Sequence, residues 1–120
     1  MLLKRFLAIT AFALILAGCT TDSTSDLIDA TPIDVVTYNE NVRTIFNNNC
    51  IICHGTIPAN GAPMSLTTYA LVKDAILNRP LIDRISRPQG APGMMPNGGT
   101  RLPQSTIDLI IQWKNDGLQE

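Results

Sequence analysis

Cys50-Ile51-Ile52-Cys53-His54 leaves this chain fewer choices than any other segment. It sets two thiols three residues apart and places an imidazole directly after the second. His54 is the only histidine in the chain, and the one further cysteine is Cys19, far upstream. A zinc site would need two more cysteine or histidine ligands, and this inventory does not supply them. A thioredoxin-like pair belongs in a βαβ setting, and no stretch alternates apolar and polar residues between hairpin turns. A Cys50–Cys53 disulfide is the plainest alternative in an exported protein. It would close a very short loop, add little stability and leave His54 without a role.

Composition adds a second constraint. Apolar residues fill 45 % of 120 positions, but fifteen of the 54 lie within the first 19 residues. Beyond residue 19 the apolar share is about 39 %, below the roughly 45–50 % of ordinary globular domains. The aromatics there are Tyr38, Phe46, Tyr69 and Trp113 alone. The length allows one domain, and a core so thin calls for a staple, a metal or a cofactor. C-x-x-C-H meets that need as a site of covalent haem attachment, haem c, because two thiols at this spacing add to two vinyl groups while the adjacent histidine reaches the iron. On this reading Cys50 and Cys53 form the thioethers, His54 Nε2 is the proximal axial ligand, and Gly55 lets the backbone turn beside the macrocycle.

A sole histidine excludes bis-histidine ligation within one chain. The sixth position is left to a methionine thioether, a lysine amine or no ligand. A Met/His pair is the arrangement that raises reduction potential in electron-transfer cytochromes. Met64 follows His54 too closely to reach the opposite face, whereas Met94 and Met95 sit some forty residues on. The alternative for both is gap-filling in the core.

The first residues read as an export leader. Lys4 and Arg5 precede an apolar run from Phe6 to Ala17, too short for a comfortable membrane span of about 20 residues but right for a signal h-region. Leu16-Ala17-Gly18-Cys19 resembles the lipobox of bacterial lipoproteins. That resemblance implies removal of residues 1–18, acylation of Cys19, and anchoring to a membrane without spanning it. Thr20 rather than Asp after the cysteine leans toward the outer membrane, on the periplasmic or cell-surface side. Residues 19–37 begin with small polar side chains and are expected to form a flexible tether. Without the leader, seven Lys and Arg face ten Asp and Glu, a net −3 that argues against nucleic acid as a partner.

Three helices are expected in residues 38–120, which makes the fold class all-α. The first spans about Tyr38–Asn47, capped by Thr37 or Asn39, with Val42, Ile45 and Phe46 on one face. The second follows a Thr67 cap and carries Tyr69, Val72 and Ile76. The third runs from Pro103 to Asp116 with Ile107, Ile110 and Ile111 on its buried face, Trp113 on the flank, and Gly117 ending it. Between the second and third, residues 86–101 form a long stiff loop rich in proline and glycine, of the kind that is functional or disordered.

Tyr38 through Phe46, then Cys50-Ile51-Ile52-Cys53-His54-Gly55, Leu66-Thr67-Thr68-Tyr69, Gly93-Met94-Met95-Pro96, and Leu102 through Trp113 with Gly117 together resemble a class I monohaem cytochrome c domain. The resemblance covers residues 38–120 and implies a small helical domain wrapped around one covalently attached haem. It implies a first and last helix that cross through Phe46 and the Ile107/Ile110/Ile111 face. The family's axial methionine commonly precedes a proline, which corresponds to Met95. Pro96 restricts Met95 to extended angles, and neighbouring side chains in an extended loop point opposite ways. Arg84, Arg87 and Arg101 flank the loop and are available to haem propionates. A carbonyl in the 55–63 loop, at Pro63, is expected to accept the His54 Nδ1 proton.

The expected function is electron transfer with redox proteins as partners and no substrate transformed, so the chain is not read as an enzyme. The alternatives are a haem-based sensor or minor haem enzyme with a displaceable sixth ligand, and a structural lipoprotein with a disulfide. Lack of a second histidine counts against peroxidase chemistry.

Overall fold

In a computed structural model, which describes residues 35–120, the first helix starts where a cap was expected. Thr37 Oγ1 accepts the Glu40 N–H at 3.3 Å, and the Thr37 N–H donates to Asn41 Oδ1 at 2.9 Å. A capping box ordinarily takes this return bond from the third residue after the cap. Here Tyr38–Val42 is a π-helical turn, in which the Arg43 N–H reaches back to the Tyr38 carbonyl. The wider turn shifts the return bond by one residue. The chain then continues as α1 (Arg43–Asn49).

The second helix, α2 (Tyr69–Asn78), is capped one residue later than expected, by Thr68, whose Oγ1 accepts the Leu71 N–H at 3.3 Å. Thr67 is engaged elsewhere, its hydroxyl 3.0 Å from that of Ser65. Sequence periodicity missed α3 (Leu81–Ser86). Six residues are too few for a 3.6-residue repeat to register, and Leu81 with Ile85 after Pro80 was the available signal. The last helix, α4 (Gln104–Asn115), follows Pro103 and ends in a Schellman motif. There the Leu118 N–H bonds to the Trp113 carbonyl at 3.0 Å and the Gly117 N–H to the Lys114 carbonyl at 3.3 Å, with Gly117 at φ +91°. The described residues contain helices and turns and no strand, so the all-α class holds.

The buried stripe of α4 is Ile107, Ile110 and Trp113, while Ile111 is only half-buried. Trp113 therefore lies on the core side and Ile111 on the flank, the reverse of their expected places. The reason is an aromatic cluster, with Tyr38, Tyr69 and Trp113 ring centroids 5.6–6.2 Å apart. Offset and edge-on rings at this spacing add to what burial alone provides. Trp113 Nε1 donates to the Gln119 carbonyl and the Tyr69 hydroxyl to the Leu118 carbonyl, each at 2.7 Å. The Tyr38 and Asn39 N–H groups, at the start of the π turn, donate to the Gln119 and Glu120 carbonyls at 2.9 Å. The beginning and end of the domain are thus laced together. Phe46, expected to carry that contact, belongs to the same core and also walls the cavity described below.

Val36 extends this body backward. It is fully buried, and its N–H donates to Asp116 Oδ2 at 2.9 Å. The packed domain therefore begins inside the segment expected to be tether. The leader, Cys19 and the rest of that segment lie outside the described residues. Among the described residues no helix is long and apolar enough to cross a membrane.

Candidate functional site

The end of α1 builds the site. Cys50 closes the helix with its N–H on the Phe46 carbonyl, and the Cys53 and His54 N–H groups then both turn back to the Cys50 carbonyl, at 3.2 and 2.9 Å. This tight turn puts both thiols and the imidazole at one helix terminus. Gly55 is needed there, since a Cβ would lie 2.9 Å from the Ile51 carbonyl oxygen. Two further bonds close the following loop, Ala59 N–H to the Cys53 carbonyl and Leu66 N–H to the His54 carbonyl, both at 2.8 Å.

The Leu66 bond draws the segment before it across the imidazole. His54 Nδ1 is 2.8 Å from the Met64 carbonyl oxygen, one residue beyond the expected Pro63. A carbonyl can only accept, so Nδ1 carries a proton, which in the neutral imidazole leaves the lone pair on Nε2. The ring is buried. Its orientation and tautomer are set by backbone, the usual preparation of an imidazole for a metal.

A cavity of about 720 Å³ opens beside this turn. Its wall includes Cys50, Cys53 and His54, the side chains of Phe46, Leu66, Leu81, Ile85 and Leu102, and Met95. That volume lies within the roughly 300–1,000 Å³ of small-molecule and cofactor sites. Met94 is buried and lines an adjoining, smaller hollow with Gln89, Gly90 and Ala91. Adjacent methionines thus face different spaces, and Met95 shares one with the thiols and His54.

The three flanking arginines differ from expectation. Arg101 donates to the carbonyls of Ser86, Arg87 and Leu102 and to Gln104, and it does not line the cavity. Arg87 pairs with Asp83 at 2.6 Å and donates to the Pro92 carbonyl, also away from the cavity. A proline- and glycine-rich loop leaves many carbonyls without backbone donors, and these guanidinium groups satisfy them. Only Arg84 lines the cavity, together with Arg79, which sequence reasoning did not single out. Asn60 was also missed, although Asn60-Gly61 is a turn signal. It has φ +53°, and its Nδ2 lies 3.5 Å from Cys53 Sγ.

Both thiols are free. Burial pushes Cys50 up to about 11. Among the described residues no group of three or more His, Cys, Asp or Glu side chains is placed to hold a metal ion. The donor set on the cavity wall is of the kind that ligates iron through nitrogen and sulfur. It comprises two unpaired thiols at attachment spacing, an imidazole with a free Nε2 and a thioether in the same apolar cavity. Compared with family models, curated proteins and solved structures, the chain matches none.

Proposed function

We propose that this protein is an exported, lipid-anchored electron carrier holding one haem c. The observation that supports this reading is the gathering of Cys50, Cys53, His54 and Met95 around a single apolar cavity. When bound, the haem would supply a one-electron exchange at iron. Cys50 and Cys53 would hold it through thioethers, and the His54 imidazole and Met95 thioether would be available to ligate its iron. The Met64 carbonyl fixes the orientation of the His54 ring. Phe46, Leu66, Ile85 and Leu102 exclude water and favour the less charged oxidation state. Arg79, paired with Asp74 at 3.6 Å, and Arg84, whose Nη1 donates to the Gly93 carbonyl, are the two arginines on the cavity wall, and their remaining N–H groups would face carboxylates of the cofactor.

The anchor rests on Leu16-Ala17-Gly18-Cys19, and redox proteins facing the membrane would be the partners. The test is maturation in a cell that carries a cytochrome c assembly system, followed by a denaturing gel stained for haem. Colour should travel with the polypeptide and disappear in the Cys50→Ala/Cys53→Ala double variant. Haem that acid solvent extracts from the wild type would overturn the proposal, because thioethers survive denaturation and axial bonds do not.

A further inference from the structure

We infer that Arg84 is the positioning residue that seats Met95, and not Met94, in the cavity. This rests on the reading of Met95 as an axial ligand. Arg84 holds the methionine loop at two points, two residues apart. Its guanidinium Nη1 donates to the Gly93 carbonyl at 3.0 Å, and its own carbonyl accepts the Met95 N–H at 3.0 Å. Between those points lies Met94, so the register of the pair is pinned on both sides. A slip of one residue would exchange the two side chains, which line different hollows. The packing over Gly93 is close. A Cβ there would lie 2.4 Å from Arg84 Nη1, and Gly93 has φ +72°, so the backbone approaches the guanidinium as only glycine permits. Arg84 is carried on α3, whose Leu81 and Ile85 are buried in the core, so the clamp has a rigid base.

The experiment compares haem-loaded wild type with Arg84→Ala, Arg84→Lys and Arg101→Ala. Two quantities are read: the long-wavelength thioether-to-ferric charge-transfer band and hydrogen exchange at the Met95 amide. A charge-assisted bond to a carbonyl is lost in Arg84→Ala, so Met95 exchange should quicken roughly tenfold or more. The band should weaken or vanish while haem stays covalently attached. Arg84→Lys keeps the charge without the planar fork and should recover part of both signals. It also carries the test if the alanine variant does not mature. Arg101→Ala loses hydrogen bonds in the same region but none to residues 92–95, and should keep the band. An undiminished band with unchanged Met95 exchange in both Arg84 variants overturns the inference. A wild type that lacks the band overturns the axial assignment of Met95 instead. In that case exchange alone reads the clamp: faster exchange keeps Arg84 as the residue seating the loop, and unchanged exchange removes it.

Discussion

Replacing each loop methionine by alanine separates packing from ligation. Met94 is 5 % exposed, and truncating a buried methionine costs about 2–5 kcal/mol. Its surroundings place it at the lower end. The hollow it lines is bounded by Gln89, Gly90, Ala91 and Asn97–Gly99, which offer few side-chain atoms to lose. About 2 kcal/mol in a domain of this size lowers Tm by roughly 8–16 °C. Met94→Ala should therefore be visibly less stable while its charge-transfer band and reduction potential stay near those of the wild type. Met95 is only half-buried and lines the larger cavity. Met95→Ala should lose the band and fall in potential, since a thioether ligand raises it, with the haem still covalently bound. Optical spectra, redox titration and thermal unfolding of the two variants make up the assay. If Met94→Ala loses the band and Met95→Ala keeps it, the facing deduced from the two cavities is wrong. If neither loses it, Met64 or a non-methionine ligand holds the sixth position, or the iron is open as in a sensor.

The Cys50 thiol, ordinarily near 9.0, is pushed up to about 11 by burial. Folding thus favours its protonated form, and this support is whole below pH 9 and is lost as pH rises toward 11. In the haem-free chain the stability difference between wild type and Cys50→Ser should change across that window by on the order of 2–3 kcal/mol. A thioether has no proton to lose, so the loaded protein should show no such change; the same loss in both forms would contradict attachment at Cys50. Asp116→Ala removes the acceptor of the Val36 N–H and should cost about 1–2 kcal/mol, part of the lost bond being offset by removing an acid from a helix C-terminus. Asp116→Asn should recover some of it, and an unchanged Tm in both would detach Val36 from the folded body. Cys19→Ser should abolish incorporation of labelled fatty acid and either release the domain from the membrane fraction or stall its processing. A wild type that fractionates as soluble protein without an acyl group would remove the lipobox reading.

Chemistry packed into consecutive residues needed no structure to be seen. Cys50, Cys53 and His54 are brought together by a single turn, and their spacing is a local property of the chain. The caps at Thr37 and Gly117 and the class of the fold are local in the same sense, because hydrogen bonds within a few residues decide them. Wherever the deciding partner is distant in sequence, tertiary structure had the last word. Trp113 faces the core and Ile111 the flank because Tyr38 and Tyr69 arrive from other helices. Met64 supplies the carbonyl for His54 because Leu66 is tied to the backbone of His54. Arg87 and Arg101 turn away from the cavity because the carbonyls of a proline- and glycine-rich loop need donors that its own backbone cannot supply. The facing of Met94 and Met95 depends on two bonds from Arg84, nine and eleven residues before the positions they hold. A side chain's direction in an irregular loop is set by what grips that loop, and no periodicity along the chain records the grip.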